Sequence, residues 1–227
     1  MQRTGRVSAP GEVVSDLRER YLRALLNGDR REAVRLVIED GVGAGISTRD
    51  LQHGVIAAAQ HEIGRLWQLN LVTVAREHMA SAITQLALAS LFERSVPDAA
   101  VGKRVVVACV EGELHDLPGR LVADTLELAG FDVEFLGANV PVSTLCDRVV
   151  STKPDLVCLS VTMSFHIGAL RSSIMQLRTR SSTPLMIGGH AVGWSAELAR
   201  ELDVLVSGAT PDTIVQQARA ATGLLPA

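Results

Sequence analysis

Glu113, His115 and Asp116 lie within four residues of one another, and the stretch runs on into Leu117–Pro118–Gly119. Further along come Ser160-x-Thr162, then Gly188–Gly189–His190, then Ser207–Gly208–Ala209–Thr210. Paired glycines let a backbone approach a large ligand closely, and serine and threonine hydroxyls supply hydrogen bonds to it. An isolated Glu-x-His would read as an ordinary loop histidine; the three other loops set this one apart. A second group stands earlier, where Trp67 is followed nine residues later by Glu77–His78. Neither group pairs a nucleophile with a base or gathers a catalytic metal cluster, so hydrolysis and redox chemistry are not indicated. Of the other histidines, His53 reads as a packing or surface residue and His61 as either packing or functional. His166 and His190 read as supports beside a ligand.

These residues are positioned by two stretches with different periodicities. From Val13 to Phe92 apolar residues recur at three- and four-residue spacing, the mark of amphipathic helices. Asn27–Gly28–Asp29 and Gly41–Gly45 break the pattern, Ser47-x-x-Asp50 is a capping-box-like start, and a turn at Asn70–Leu71 precedes a last helix from about Val72. Four helices with short loops imply a small bundle. The segment from Ser95 to Ala100 contains Pro97, lacks periodicity and reads as a linker. Beyond it, short apolar runs at Arg104–Val110, Val133–Leu136, Leu156–Val161, Leu185–Ile187 and Val204–Val206 alternate with helical stretches. The helical stretches are Leu121–Leu128, Thr144–Val150, Leu170–Leu177, Ala196–Leu202 and Thr213–Ala221. That alternation predicts an α/β domain, a doubly wound parallel five-stranded sheet of the Rossmann-like or flavodoxin-like kind. Ligands of such sheets sit outside the carboxyl ends of the strands, where the loops singled out above fall. The predicted division is a tail over 1–12, a bundle over 13–94, a linker over 95–102 and the sheet domain over 103–227.

Composition bounds the function. Of 227 residues 47% are hydrophobic and only 3% aromatic, so the core is built from Ala, Val, Leu and Ile. The net charge is -3 and no Lys/Arg run stands out, which predicts no nucleic-acid partner. No apolar stretch is of membrane-spanning length and Met1–Pro10 lacks a signal-peptide pattern, so no membrane association is expected. Cys109, Cys146 and Cys158 are scattered and read as buried thiols of a reducing, cytoplasmic compartment.

The three loop elements together resemble the cobalamin-binding domain, whose signature is Asp-x-His-x-x-Gly, then Ser-x-Leu, then Gly-Gly. Here Glu113 stands for the aspartate, Ser160-x-Thr162 is the middle element and Gly188–Gly189 the last. The resemblance implies that His115 ligates cobalt from below in place of the cofactor's own base. It also implies that Glu113 or Asp116 holds the other imidazole nitrogen, and that Ser160, Thr162, Gly188 and Gly189 line the slot for the nucleotide tail, with Ser207 and Gly208 beside them. Pro118 departs from the signature, since it occupies the glycine's place and Gly119 comes one residue late.

A helical cap before such a domain is similar to corrinoid methyl-carriers and to cobalamin light sensors. The Trp67-x9-Glu77–His78 pattern resembles the sensors, in which it would cover the upper corrin face and hold an adenosyl group. Gln68 stands where some sensors carry a histidine that captures the cobalt after illumination, and only about a dozen residues precede the first helix, too few for a DNA-binding module. The resemblance therefore implies a stand-alone, non-enzymatic sensor of light through adenosylcobalamin, acting through a homo-oligomer or a regulatory protein partner. A subset of such sensors, the photocobilins, also carries a bilin (biliverdin), for which the extra histidines leave room. The alternatives are a corrinoid methyl-carrier of a methyltransferase system and a cobalamin-level sensor or antirepressor.

Overall fold

A computed structural model describes residues 10–193 and 196–224. The chain divides into two compact units with the boundary between Ser95 and Val96.

The first unit is helical. Helix α1 (Pro10–Asn27) is followed by α2 (Arg30–Arg35), which winds on as a π-helix over Leu36–Gly41 and a 3₁₀ turn over Val42–Ala44. The next rod opens with α3 (Thr48–Asp50), is π-wound over Leu51–Ala57 and continues as α4 (Ala58–Gln68); α5 (Val74–Phe92) completes the unit. The breaks fall where the sequence places them. Gly28 takes φ +72, Asp29 caps α2 by accepting from the Glu32 N–H, and the Ser47 hydroxyl accepts from the Asp50 N–H at 3.1 Å. The π-wound turns are not legible in the apolar spacing. Helix α1 also starts at Pro10, ahead of the predicted Val13, and the predicted tail lies outside the described residues over 1–9. The core is aliphatic, with Leu17, Leu25, Leu36, Val55, Ile63, Ala87 and Leu91 all buried.

The second unit holds β1 (Arg104–Cys109), α6 (Leu117–Leu128), β2 (Asp132–Phe135), α7 (Val142–Thr152), β3 (Leu156–Ser160), α8 (Ile167–Arg180) and β4 (Leu185–Gly188). It ends with α9 (His190–Gly193), α10 (Ala196–Leu202), β5 (Leu205–Val206) and α11 (Pro211–Ala221). All strands pair in parallel in the order β2-β1-β3-β4-β5, the flavodoxin-like arrangement. Alternate residues serve opposite faces: Val106 and Ala108 pack with Leu145, Ile174 and Leu177, whereas Val105 and Val107 pack with Leu126, Ile214 and Ala218. A sheet covered on both faces explains why its strands read as unbroken apolar runs.

Three expectations need correction. Helix α6 begins at Leu117, not Leu121, because Pro118 fits the first turn, where its missing N–H is not needed. Strand β5 has only two residues, both exposed at the sheet edge. The linker is largely tied down: Asp98 donates its N–H to Leu128 O at 2.8 Å and Val101 to Gly130 O at 2.9 Å. A Cβ on Gly130 would lie 2.2 Å from Ala99 O, so this glycine lets the incoming chain lie against the end of α6.

Candidate functional site

The order reversal between β1 and β3 opens a crevice at their carboxyl ends. His115 lies in the loop after β1, with its side chain 42% exposed, and Glu113 beside it is fully buried. Glu113 Oε1 is 2.6 Å from His115 Nδ1 and accepts the His115 N–H at 3.0 Å. Its other oxygen accepts the N–H groups of Thr162 at 2.8 Å and Met163 at 2.9 Å, both in the loop after β3. One carboxylate thus knits the β1 and β3 loops together. Burial alone would raise its pKa; the hydrogen bonds from the His115 ring and from the Met163, His115 and Thr162 backbones outweigh that and hold it down at about 2. A carboxylate can only accept, so the proton of the neutral imidazole sits on Nδ1 and the lone pair on Nε2.

The sequence left Glu113 and Asp116 as alternatives for this role, and the geometry assigns it to Glu113. Asp116 instead precedes α6, where its carbonyl accepts the Arg120 N–H. Asn139 was missed. At φ +50 it accepts the Gly112 N–H on Oδ1 at 2.7 Å and donates its own N–H to Glu113 O at 2.8 Å, clamping the loop from the β2 side. The run Gly137–Ala138–Asn139 was the available signal, since asparagine is enriched at positive φ. The His166 ring packs over Gly112, within 2.8 Å of where a Cβ would stand, and tilts against Phe165.

Beside this loop a narrow slot of about 20 Å³ lies between α6 and the strand ends, lined by Pro118, Gly119, Ser160, Gly188, Gly189 and Ser207 among others. Three glycines give it its shape. A Cβ on Gly189, at φ +101, would fall 2.2 Å from Val161 O. One on Gly188 would meet Ser207 Cβ at 3.0 Å, and one on Gly119 would crowd Phe135, Cys109 and Ser160. The late glycine therefore provides the close approach of helix to sheet, and Pro118 before it serves as a helix-start residue. Ser160 Oγ is buried with only a weak contact to the Cys109 thiol and no hydrogen-bond partner. An unsatisfied hydroxyl on the wall of a glycine-lined slot suits a ligand that brings the missing partner. Thr162 donates its backbone N–H to Glu113, and its Oγ1 is buried without a hydrogen-bond partner, as Ser160 Oγ is. Gly208 packs under Thr213. His190 opens α9. The described cysteines are free and buried, and burial, with the charges of Asp116 and Glu113, pushes the Cys109 thiol up to about 12.

In the helical unit Trp67 is in the last turn of α4 and Glu77–His78 in the first turns of α5, at one end of that unit. Glu77 Oε2 is 2.7 Å from His78 Nδ1, and the His78 side chain is 73% exposed. The Ser81 hydroxyl donates to Glu77 Oε1, Gln60 donates to Ser81, Thr84 donates to Gln60, and buried Tyr21 reaches Thr84 at 3.4 Å. Gln68 is exposed, and His53 is half-buried, with burial and then the Arg49 charge lowering its pKa.

Two family models, each described as a B12 binding domain, match residues 103–217 and 17–91. Dimethylamine corrinoid protein 3 of Methanosarcina acetivorans is 29% identical over 182 residues, covering 78% of each chain. Trimethylamine corrinoid protein 2 of the same organism is 28% identical over 162 residues, 67% of this chain and 73% of that one. Among solved structures, the monomethylamine corrinoid protein of Methanosarcina barkeri superposes with a TM-score of 0.78 at 19% identity, over 92% of this chain and 98% of that one. No described helix is long and apolar enough to cross a membrane.

Proposed function

We propose that this chain, which belongs to the B12-binding domain family, is the corrinoid carrier of a methyl-transfer system and serves a separate methyltransferase partner. The observation that carries the reading is the Glu113–His115 pair in the loop after β1, just ahead of Pro118 and Gly119, which line a glycine-rich slot. When bound, the corrinoid supplies the cobalt centre that takes up and gives away the methyl group. The protein's part is to bind and to hold still. His115 would hold the cobalt through Nε2, with Glu113 fixing the ring and raising its basicity through Nδ1. Gly188, Gly189 and Gly119 leave room for the nucleotide tail, and Ser160 Oγ, beside Ser207, donates to it. The methylamine corrinoid relatives support a carrier over the light sensor that the Trp67-x9-Glu77–His78 pattern suggested, and this reading needs neither an adenosyl group nor a bilin.

The sensor remains a second reading because Glu77 and His78 do form a fixed pair at the same end of the helical unit as Trp67. One experiment separates the two. The protein is loaded with adenosylcobalamin, exposed to green light until its absorption spectrum shows complete photolysis, and sedimented before and after. A carrier keeps its sedimentation profile, and with methylcobalamin bound it gives up its methyl group to a thiol acceptor when a corrinoid methyltransferase is added. A changed profile, with no methyl transfer, would overturn the carrier reading in favour of the sensor.

A further inference from the structure

The arginines that form no run in the sequence converge on one groove of the helical unit. Arg30, Val34 and Ile38 form one row along α2 and its π-wound continuation, with Arg31 and Arg35 on the neighbouring row. Leu86 and Arg94 face them from α5, with Ser90 between, and the open groove has a volume of about 410 Å³. Arg30 to Ile38 and Leu86 to Arg94 each span eight residue steps, so the groove is about 12 Å long, or two turns of a helix.

Its charge is uncompensated. Arg35 is neutralised by Glu32 and Asp40, each at 2.7 Å. Arg94 makes its hydrogen bond to a neutral group, the Ser90 carbonyl, and among the described residues Arg30 and Arg31 make no ion pair. Glu39, 3.9 Å from Arg35, is the acid on the rim. A protein of net charge -3 thus concentrates three unpaired guanidinium groups around an apolar floor of Val34, Ile38 and Leu86, the last 47% exposed. A small hydrated anion has no use for that floor, and residues 1–9 of the chain itself carry Arg3 and Arg6 and no acid.

We propose that this groove docks an acidic amphipathic helix of a partner protein, with its apolar stripe on Val34, Ile38 and Leu86 and its carboxylates on Arg30, Arg31 and Arg94. The inference stands apart from the cobalamin site, since every residue in it belongs to the helical unit. Helix-in-groove recognition reads an apolar stripe at three- and four-residue spacing, and the charges set its orientation and salt dependence.

The test is fluorescence anisotropy of a labelled synthetic peptide, about four helical turns long, with leucines at that spacing and glutamates on both flanks, titrated with the full chain. Saturable binding is expected. It should weaken at least about tenfold when the peptide leucines become serine, and similarly in Arg30→Glu/Arg31→Glu, with Arg30→Gln/Arg31→Gln intermediate. Raising sodium chloride from about 0.05 to 0.5 M should weaken it severalfold. These arginines are exposed, so unchanged melting temperatures of both variants are the folding control. The proposal is overturned if no saturable binding is seen below millimolar protein, or if the serine peptide binds as well as the leucine peptide. Displacement by inorganic phosphate beyond its ionic-strength effect would make the groove an anion site instead. Self-association that disappears in Arg30→Glu/Arg31→Glu would make the occupant a second copy, and that too overturns it.

Discussion

The two units each carry a glutamate–histidine pair, and the pairs are held differently. Glu113 is fully buried and is gripped by backbone N–H groups from two strand-end loops, as well as by the imidazole. Glu77 is partly exposed, and its second oxygen is held by the Ser81 hydroxyl, itself at the end of a chain of side chains. Backbone donors at the ends of a packed parallel sheet cannot rotate away, whereas serine, glutamine and threonine side chains can exchange partners. Two glycines sharpen the contrast at single positions: Gly189 of the sheet unit lies against the Val161 carbonyl, whereas Gly54 of the helical unit meets only the Val14 side chain. The pair in the sheet unit is thus held by main-chain groups, and the pair in the helical unit by side chains that can exchange partners.

The largest expected difference is between the two imidazoles. His115→Ala should weaken cobalamin binding by roughly 100- to 1000-fold, or about 3–4 kcal/mol, with loss of the histidine-ligated absorption spectrum. His78→Ala, read in the same spectral titration with hydroxocobalamin, should change affinity by less than about threefold, the scale of a contact that is not a metal ligand. Equal losses at the two positions would erase the distinction.

Next comes rigidity itself. Gly189→Ala forces a Cβ to 2.2 Å from Val161 O at φ +101, and should cost about 2–3 kcal/mol in denaturant unfolding. Gly54→Ala meets only Val14 Cγ1 at 3.0 Å, within a helix that alanine favours, and should lie between neutral and a gain of about 1 kcal/mol. A similar loss at both sites would show that the helical unit is no more adaptable than the sheet.

Glu113→Gln keeps the shape but turns half of an acceptor-only group into a donor facing the Thr162 and Met163 N–H groups. A stability loss of about 1–3 kcal/mol and a drop in cobalamin affinity of about tenfold are expected, by unfolding and spectral titration. Glu77→Gln should cost about 0.5–1 kcal/mol, because Gln60 and Ser81 can reorient around it.

That difference also marks what the sequence could reveal. The strands, their alternation with helices and the Glu113-x-His115 motif were legible because they are local, set by period and short spacing. The choice between Glu113 and Asp116 was not, since both are near His115 in the chain. It is decided by burial and by N–H groups arriving from some 50 residues away, as Thr162 and Met163 do. The same holds for Asp98 and Val101, in the segment that reads as a linker, whose N–H groups find their acceptors on Leu128 and Gly130 some 30 residues away. The π-wound turns at Leu36–Gly41 and Leu51–Ala57 keep the three- and four-residue apolar spacing of an α-helix and so leave no trace in it. Arg30, Arg31, Arg35 and Arg94 form no run in the sequence, and only folding brings α2 and α5 side by side.

The smallest effect is the most discriminating. Ser160 Oγ of the sheet unit and Gln52 Nε2 of the helical unit are among the buried polar atoms without hydrogen-bond partners in the described residues. Leaving such a group unsatisfied costs about 1–3 kcal/mol, so its removal should relieve strain on the fold. Ser160→Ala should therefore leave stability unchanged or raise it by up to about 1 kcal/mol. It deletes nothing but the hydroxyl, and Ser160 lines the slot beside Gly188 and Gly189. If that hydroxyl is kept for the nucleotide tail, the same variant should lose about three- to tenfold in cobalamin affinity, the value of one hydrogen bond. Gln52→Leu should gain stability in the same way and leave affinity unmoved. Opposite signs for stability and affinity at Ser160, with a stability gain alone at Gln52, would locate the ligand's demand in the sheet unit. Unchanged affinity in Ser160→Ala would mean that the tail does not use this hydroxyl, which would overturn the role given to Ser160 in the slot.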